Sequence, residues 1–480
     1  MYKESREFKH MEDGIIFPTL RLLLINLQPY KMYLVGGCVR DLLLGREPKD
    51  YDLCTDATPG QVREKLQMLS RYSIWDSGIK HGTLTVIDKE TGLSVEITTF
   101  RVDGKYSDGR HPDEVVFTPS LEEDLKRRDF TINSIAYDLT SKELIMLDEE
   151  FKYDLELGVI RCVGEPNKRF EEDALRMLRA IRFAAQLGFN IEKNTYEAIK
   201  ENSPRLRDIS RERIRDELTK ILLSDNPQML EHFCLTGLEY WAFATNGGWT
   251  PIKAMLECTQ HNKYHYTDVF HHTIDVVKKC PKDFNIKWAA LLHDIGKPLD
   301  KTVDEEGWEH FYNHAEKSVH IATALMDILK FSNDQKDIVT KFVKWHDYPL
   351  SQVNNKKFKQ QIVEIGEENF PNFLKFKEAD ASAHLLSAST EFAIDAVSIC
   401  KERYKQYLMY KPPVTLKDLA VNGNDLVAMG FKGPEIGKIL HQLLEAVLDN
   451  PELNNKQHLL DIVLTVSKVN DIMDKAKEEE

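Results

Sequence analysis

Tyr33-Leu-Val-Gly-Gly-Cys-Val-Arg-Asp41, followed by Asp50-Tyr-Asp52, is the stretch that decides how this chain is read. It reads as a β-strand, a glycine turn, a helix start and a second strand that carries two carboxylates. Residues i and i+2 of a strand point to one face, so Asp50 and Asp52 aim together. Paired carboxylates of this kind suit the metal ions of phosphoryl transfer. Gly36 and Gly37 allow the backbone to approach a ligand closely, and the helix after them offers free N–H groups to a phosphate. A lone Asp-x-Asp is most often a solvated strand end. The glycine turn and basic helix at this spacing favour the chemical reading instead.

A chain of 480 residues is too long for one core and predicts two to four domains. A charged fraction of 30% beside a hydrophobic fraction of 42% fits a water-soluble globular protein. No apolar run approaches the ~20 residues that span a bilayer, and the charged N-terminus carries no secretory signal. The seven cysteines are scattered without a Cys-x-x-Cys pair, which points to reduced thiols in a cytoplasmic protein. A net charge of −14 argues mildly against nucleic-acid binding overall. The basic residues nevertheless gather locally, at Lys126–Arg128, at Arg176, Arg179 and Arg182, and from Arg205 to Arg215.

Strands are expected over Lys31–Gly36, Asp50–Cys54, Gly82–Asp88 and Leu93–Phe100, and helices over Val39–Leu44 and Pro59–Leu69. The fold class is therefore α+β: a small mixed sheet first, then all-helical domains. From Phe170 to Leu187, apolar Leu175, Leu178, Ile181 and Ala185 form one helical stripe ending at Gly188. Ser210 is placed as the cap of a further helix reaching Leu222. The segment from Arg101 to Pro112 is polar, contains glycine and reads as a mobile loop. Pro412-Pro413 marks a late boundary. The expected divisions are 1–150, 151–255, 256–400 and 401–480.

Glu96 stands in an apolar strand, where an acid is costly without a partner, and a metal beside Asp50 and Asp52 would supply one. A strand-edge Glu facing water is the even alternative. In Arg127-Arg-Asp-Phe-Thr-Ile-Asn133 the charges suit a triphosphate and the Asn a sugar hydroxyl. In Glu171-Glu-Asp-Ala-Leu-Arg-Met-Leu-Arg179, Asp173 and Arg176 are expected as i, i+3 neighbours on a helix. They form either an intrahelical ion pair or a template for a base. A carboxylate accepts from the exocyclic amine that cytosine and adenine share, while guanine and uracil present a carbonyl there. One Asp–Arg pair would then admit CTP and ATP and reject GTP and UTP.

These motifs, with Ser210-Arg-Glu-Arg-Ile214 and the Val414–Leu426 and Ile436–Leu440 segments, resemble the class II CCA-adding enzymes. These are bacterial tRNA nucleotidyltransferases related to poly(A) polymerase. The resemblance covers nearly the whole chain. It implies a nucleotidyltransferase head followed by helical neck, body and tail domains. Asp50, Asp52 and Glu96 would be catalytic, the first two binding Mg²⁺. Gly36, Gly37, Arg40, Arg128, Asp129 and Asn133 would hold triphosphate and ribose, and Asp173, Arg176 and Arg179 would read the base. Asp103, Tyr106 and Arg110 match the family's flexible loop in the form that adds the terminal A. The implied partners are the tRNA 3′ end, CTP and ATP, with no membrane. Poly(A) polymerases and partial CC- or A-adding enzymes share most of these motifs. One segment departs from the pattern: Asp148–Asp154 stands where relatives carry a glycine pair.

A second constellation is His272, His293-Asp294-Ile-Gly-Lys297 and Asp380, with Gly296 expected as a helix C-cap. It resembles the HD phosphohydrolase superfamily. That resemblance implies a divalent metal (Mg, Mn, Ni or Co) on His272, His293, Asp294 and Asp380. His314 and His346 are extra ligands, proton donors or plain surface histidines. This module pairs with the head as a device for RNA 3′-end repair, or works alone as a phosphohydrolase with the head as an RNA platform.

Overall fold

The computed structural model describes residues 1–5, 16–104, 115–243, 250–261, 267–348, 350, 354–384 and 388–465. The chain divides into two compact units, Met1–Lys253 with Ile328–Lys330, and Ala254–Asp327 with Phe331–Glu480.

The first unit begins with an eight-stranded sheet. Its strands are β1 (Tyr2–Ser5), β2 (Met32–Val35), β3 (Tyr51–Thr55), β4 (Tyr72–Gly78), β5 (Thr83–Asp88), β6 (Ser94–Thr99), β9 (Ile135–Asp138) and β10 (Glu143–Met146). The order across the sheet is β1-β10-β9-β2-β3-β6-β5-β4. The short β7 (Arg101–Asp103) and β8 (Val115–Phe117) pair separately, antiparallel. Every neighbour in the large sheet is antiparallel except β3 and β6, which run parallel with Asp52 opposite Glu96. Alternation sorts the side chains. Val35, Cys54, Ala136 and Ile145 face Leu121 and Leu125 of the Leu121–Lys126 helix in one core. On the opposite face Tyr137 meets Phe17 of the Ile16–Leu27 helix. Asp52 shares the face of Cys54, but it is partly exposed where Cys54 is fully buried. The expected strands are therefore present, each within two residues of the position read from the sequence.

The expected single helix over Phe170–Leu187 is two, Pro166–Glu172 and Leu175–Leu187, broken at Asp173, whose φ of −143° and ψ of 105° are extended. The Asp side chain competes for backbone partners here: its Oδ1 accepts from the Leu175 N–H at 3.0 Å. Gly188 closes the second helix with φ 75°, as its sequence position predicts. Ser210 stands at the start of Arg211–Leu222, but its side chain makes no capping bond. The departing segment at Asp148–Asp154 leads into a helix, Glu150–Leu157, which holds its last five residues. Buried Asp154 there accepts from Thr131 at 2.8 Å and pairs with Arg161.

In the second unit, the Phe284–Leu292 helix is the centre of a helical bundle. Its Trp288-Ala-Ala-Leu-Leu292 run is buried on all sides, packed by the Val269–Lys279, Asn333–Trp345 and Phe370–Ser382 helices. A helix apolar all round must be covered all round, which is why it sits inside. Farther on, Leu419, Val421, Leu426, Leu443, Val447, Leu459 and Val463 form a separate core. No described helix is long and apolar enough to cross a membrane.

Candidate active site and histidine centre

Gly36 turns the chain from β2 into the Gly37–Leu43 helix with φ 79° and ψ −136°, a conformation that a side chain opposes. A Cβ there would also stand 3.2 Å from the Arg128 guanidinium. The turn therefore lays backbone against an arginine, as a phosphate cradle requires. Asp50 is exposed just before β3, and Asp52 on β3 lies beside Glu96 on β6. Glu96 is on an interior strand of the sheet, not at an edge, and it is exposed. Burial, Glu96 and Asp50 push the Asp52 carboxyl up to about 6, against the pull of Arg128. Three acids thus crowd one point, and Arg128 offsets their repulsion at Asp52. All donors are carboxylate oxygens, the set that Mg²⁺ prefers, and a cation there would relieve the repulsion. The cleft at this point is lined by Asp52, Thr83, Glu96, Arg101, Arg127 and Arg128. Arg127 and Arg128 are both held by buried Asp124, at 2.9 and 3.0 Å.

A polar relay runs from the phosphate cradle toward the expected base reader. Arg40 donates to Asn133 at 2.7 Å, Asn133 donates to Asp129 at 3.2 Å, and Arg179 donates to Asp129 at 2.9 Å. Burial would raise the Asp129 carboxyl, but Arg179, Arg176 and Asn133 hold it far below the usual range. Arg40, Arg179 and Arg182 all approach the ring of Phe183, at 5.3, 5.4 and 3.9 Å from its centre. Phe183 was not foreseeable, because an aromatic on a helix reads as core until the arginines around it are known.

The Arg176 N–H donates to the Asp173 carbonyl at 3.0 Å, while the two side chains are seen with other partners. Asp173 accepts from Arg213 at 2.8 Å. Arg176 pairs with Glu172 and donates to the Arg127 carbonyl at 3.0 Å. The two residues stay neighbours across the break, with Asp173 in extended backbone at the end of one helix and Arg176 in the first turn of the next. Arg213, from the Ser210–Ile214 motif, is a residue whose role the sequence left unassigned. Of the expected loop residues, Asp103 lies on β7, while Tyr106 and Arg110 lie outside the described residues.

The second unit brings His272, His293, Asp294, His314, His346 and Asp380 together. All are buried, so none is a plain surface histidine. His272 Nε2 lies 3.4 Å from Asp380 and 3.7 Å from Asp294, and His293 Nε2 lies 3.1 Å from Asp294. Burial would raise Asp294, yet His293 and Lys297 hold it well below the ordinary carboxylate range. Lys297 Nζ is 2.7 Å from Asp294 and donates to Gln260. His384, four residues past Asp380, joins the His272 and Asp380 group. Its i+4 spacing was a usable signal that the reading missed. Gly296 corrects another expectation. It does not cap the Phe284–Leu292 helix but begins the next turn with φ −83°. Its missing Cβ matters for packing, because one would meet the His314 carbonyl at 2.5 Å. Among the described residues, the groups whose ligand atoms all lie within 4.8 Å of one another belong to this histidine centre.

Residues 32–161 match the poly A polymerase head domain, and residues 300–463 match tRNA nucleotidyltransferase domain 2. A CCA-adding enzyme of Leuconostoc mesenteroides is 49% identical over 433 residues, 90% of this chain and 91% of that one. The CCA-adding enzyme of Limosilactobacillus reuteri is 33% identical over 458 residues, 94% of this chain and 98% of its own. The crystal structure of the Bacillus stearothermophilus CCA-adding enzyme in complex with CTP is similar with a TM-score of 0.69 at 29% identity, covering 95% of this chain and 99% of that one. Likeness at this identity, sustained from end to end, makes the chain a member of the CCA-adding enzymes, a family of tRNA nucleotidyltransferases.

Proposed function

We propose that this chain builds or repairs the CCA end of tRNA in the cytoplasm, taking CTP and ATP in turn and using no nucleic-acid template. The observation that carries the reading is the pairing of Asp52 with Glu96 on parallel strands, beside Arg128 and the Gly36 turn. In this reading residues 1–150 are the head, 151–255 the neck and body, 256–400 the histidine module and 401–480 the tail. Asp50 and Asp52 would hold Mg²⁺, with Glu96 as the third acid. Bound there, the metal lowers the pKa of the attacking 3′-hydroxyl and offsets charge on the triphosphate.

The remaining work falls to the chain's own groups. Gly36 and Gly37 let the backbone meet the phosphates, and Arg40 and Arg128 supply cations to them. Asn133 and Asp129 hold ribose and fix Arg179. Asp173, steadied by Arg213, accepts from the exocyclic amine of cytosine or adenine. Arg176 and Arg179 supply donors beside it. Pyrophosphate leaves as the 3′-oxygen bonds to the α-phosphorus.

A second activity rests on a separate observation, the buried imidazoles and carboxylates around Asp294. In our reading they hold a divalent metal and hydrolyse phosphoesters at damaged RNA 3′ ends.

The test is product sequencing. The protein is incubated with a tRNA transcript lacking CCA, with Mg²⁺ and all four nucleoside triphosphates, and the new 3′ ends are read. Growth that stops at CCA is expected. A long A tail would make the chain a poly(A) polymerase, and an end at CC a partial enzyme. Absence of growth would leave the histidine centre as the working part.

A further inference from the structure

We infer that Asp124, which lies outside the carboxylate cleft, is a positioning residue for nucleotidyl transfer: it aims Arg128 at the triphosphate and keeps that guanidinium from pairing with Asp52. This rests on the reading of the cleft as the nucleotidyl-transfer site and adds the residue that arranges it.

The arrangement begins with the Leu121–Lys126 helix. It ends soon after Asp124, so Arg127 and Arg128, three and four residues on, fold back onto that one carboxylate. Oδ1 accepts from Arg127, through Nε at 2.9 Å and a terminal nitrogen at 2.7 Å, and from the backbone N–H of Arg101 at 3.4 Å. Oδ2 accepts from Arg128 at 3.0 Å. Asp124 is fully buried and is not among the residues lining the cleft, as Arg127 and Arg128 are. Burial would raise its carboxyl, but Arg128 and Arg127 hold it below the usual range, so it stays charged. One carboxylate between two guanidiniums leaves a positive charge over, and it falls at the cleft.

Arg128 has little else to hold it. Among the described residues its one hydrogen bond goes to Asp124, and its buried Nε has no partner. Yet the guanidinium stands where a Cβ on Gly36 would be 3.2 Å away, beside the turn that would take phosphate. It also lies close enough to Asp52 to pull that carboxyl down. The acids of the cleft attract a loose guanidinium, because a charged donor bonds a carboxylate strongly. An arginine paired with Asp52 would occupy the oxygens that a metal needs. Asp124 removes that competition by holding Arg128 through its own hydrogen bond.

The test is steady-state kinetics of the full chain on tRNA transcripts that end before the CCA, for CTP, or after CC, for ATP. The KM of each nucleotide and the Mg²⁺ concentration for half-maximal rate are measured. Asp124→Asn, Arg128→Ala and the double variant are compared, with circular dichroism to confirm folding. Asp124→Asn should raise both KM values and the Mg²⁺ requirement about tenfold, as loss of one charge-assisted hydrogen bond does. The double variant should match the KM of Arg128→Ala within about twofold, as residues acting through one another are not additive. Its Mg²⁺ requirement should return to the parent's, because no guanidinium remains to compete. KM factors that multiply in the double variant, or a Mg²⁺ requirement that Asp124→Asn leaves unchanged, overturn the inference. Should Asp124→Asn alone not fold, Asp124→Asn with Arg127→Met restores the balance of buried charge and is read against Arg127→Met by the same Mg²⁺ criterion. A parent chain that adds no nucleotide sinks the reading of the cleft, and the inference with it.

Discussion

Asp52 holds its charge at an energetic cost, and pH exposes that cost. Burial and the neighbouring Glu96 and Asp50 raise its carboxyl to about 6 in the folded chain. The native state then binds this proton more tightly than the unfolded chain does. The contribution to stability is full at low pH and is lost as pH climbs from about 4 to about 6. Asn mimics the protonated acid and never charges. In EDTA, Asp52→Asn should match the parent in denaturant stability near pH 4 and exceed it by about 1–2 kcal/mol above pH ~6.5, after allowance for solvent screening. The same variant should add no nucleotide. A stability difference that stays flat across this pH range would mean that the acids do not sense one another. Much of this residue-scale picture was legible beforehand. Asp52 is expected on its strand and Glu96 in an apolar strand, and both stand there, while Asp50 lies just before β3 and not on it. What no local pattern showed is that β3 and β6 are neighbours in register, because that pairing joins residues far apart in the chain.

At the scale of elements, the strands were legible because β-branched and apolar runs between turn residues have few other outcomes. The break at Asp173 was not legible. The apolar stripe across Phe170–Leu187 is truly helical in spacing, and it is interrupted where the Asp173 side chain accepts from the Leu175 N–H and also pairs with Arg213, on a helix that begins beyond the next two. The role of Gly296 was hidden in the same way, since its reason is another helix 2.5 Å away from an imagined Cβ. The Asp173 break has a functional consequence. If Asp173 reads the base from an extended segment, its aim depends on Arg213 and not on helical geometry. A charge-assisted hydrogen bond of this kind is worth about 1.5–3 kcal/mol. Arg213→Ala should therefore lower discrimination of CTP and ATP against UTP and GTP about tenfold. Mg²⁺-dependent incorporation itself should persist, measured as kcat/KM for each nucleotide on the same primer. Unchanged discrimination would detach Arg213, and the break it stabilises, from nucleotide choice.

At the scale of the molecule, net charge and composition set only broad limits, because a chain of −14 still gathers arginines around Phe183 and Asp124. The organisation shows more. The carboxylate site and the histidine centre lie in different compact units, each with buried cores of its own. The donors differ as well: carboxylate oxygens in one, and imidazoles with carboxylates in the other. Two sites built from different donors in separate units should fail separately. Asp52→Ala should abolish nucleotide incorporation, by at least ~1000-fold if it removes a metal-binding acid, and leave Mn²⁺-dependent hydrolysis of a phosphomonoester or 2′,3′-cyclic phosphate unchanged. His293→Ala should do the reverse. Both activities are measured on the same preparations, with circular dichroism to confirm that each variant folds. Loss of both activities in either folded variant would mean that one site serves the two reactions, and the division of labour between the units would have to be abandoned.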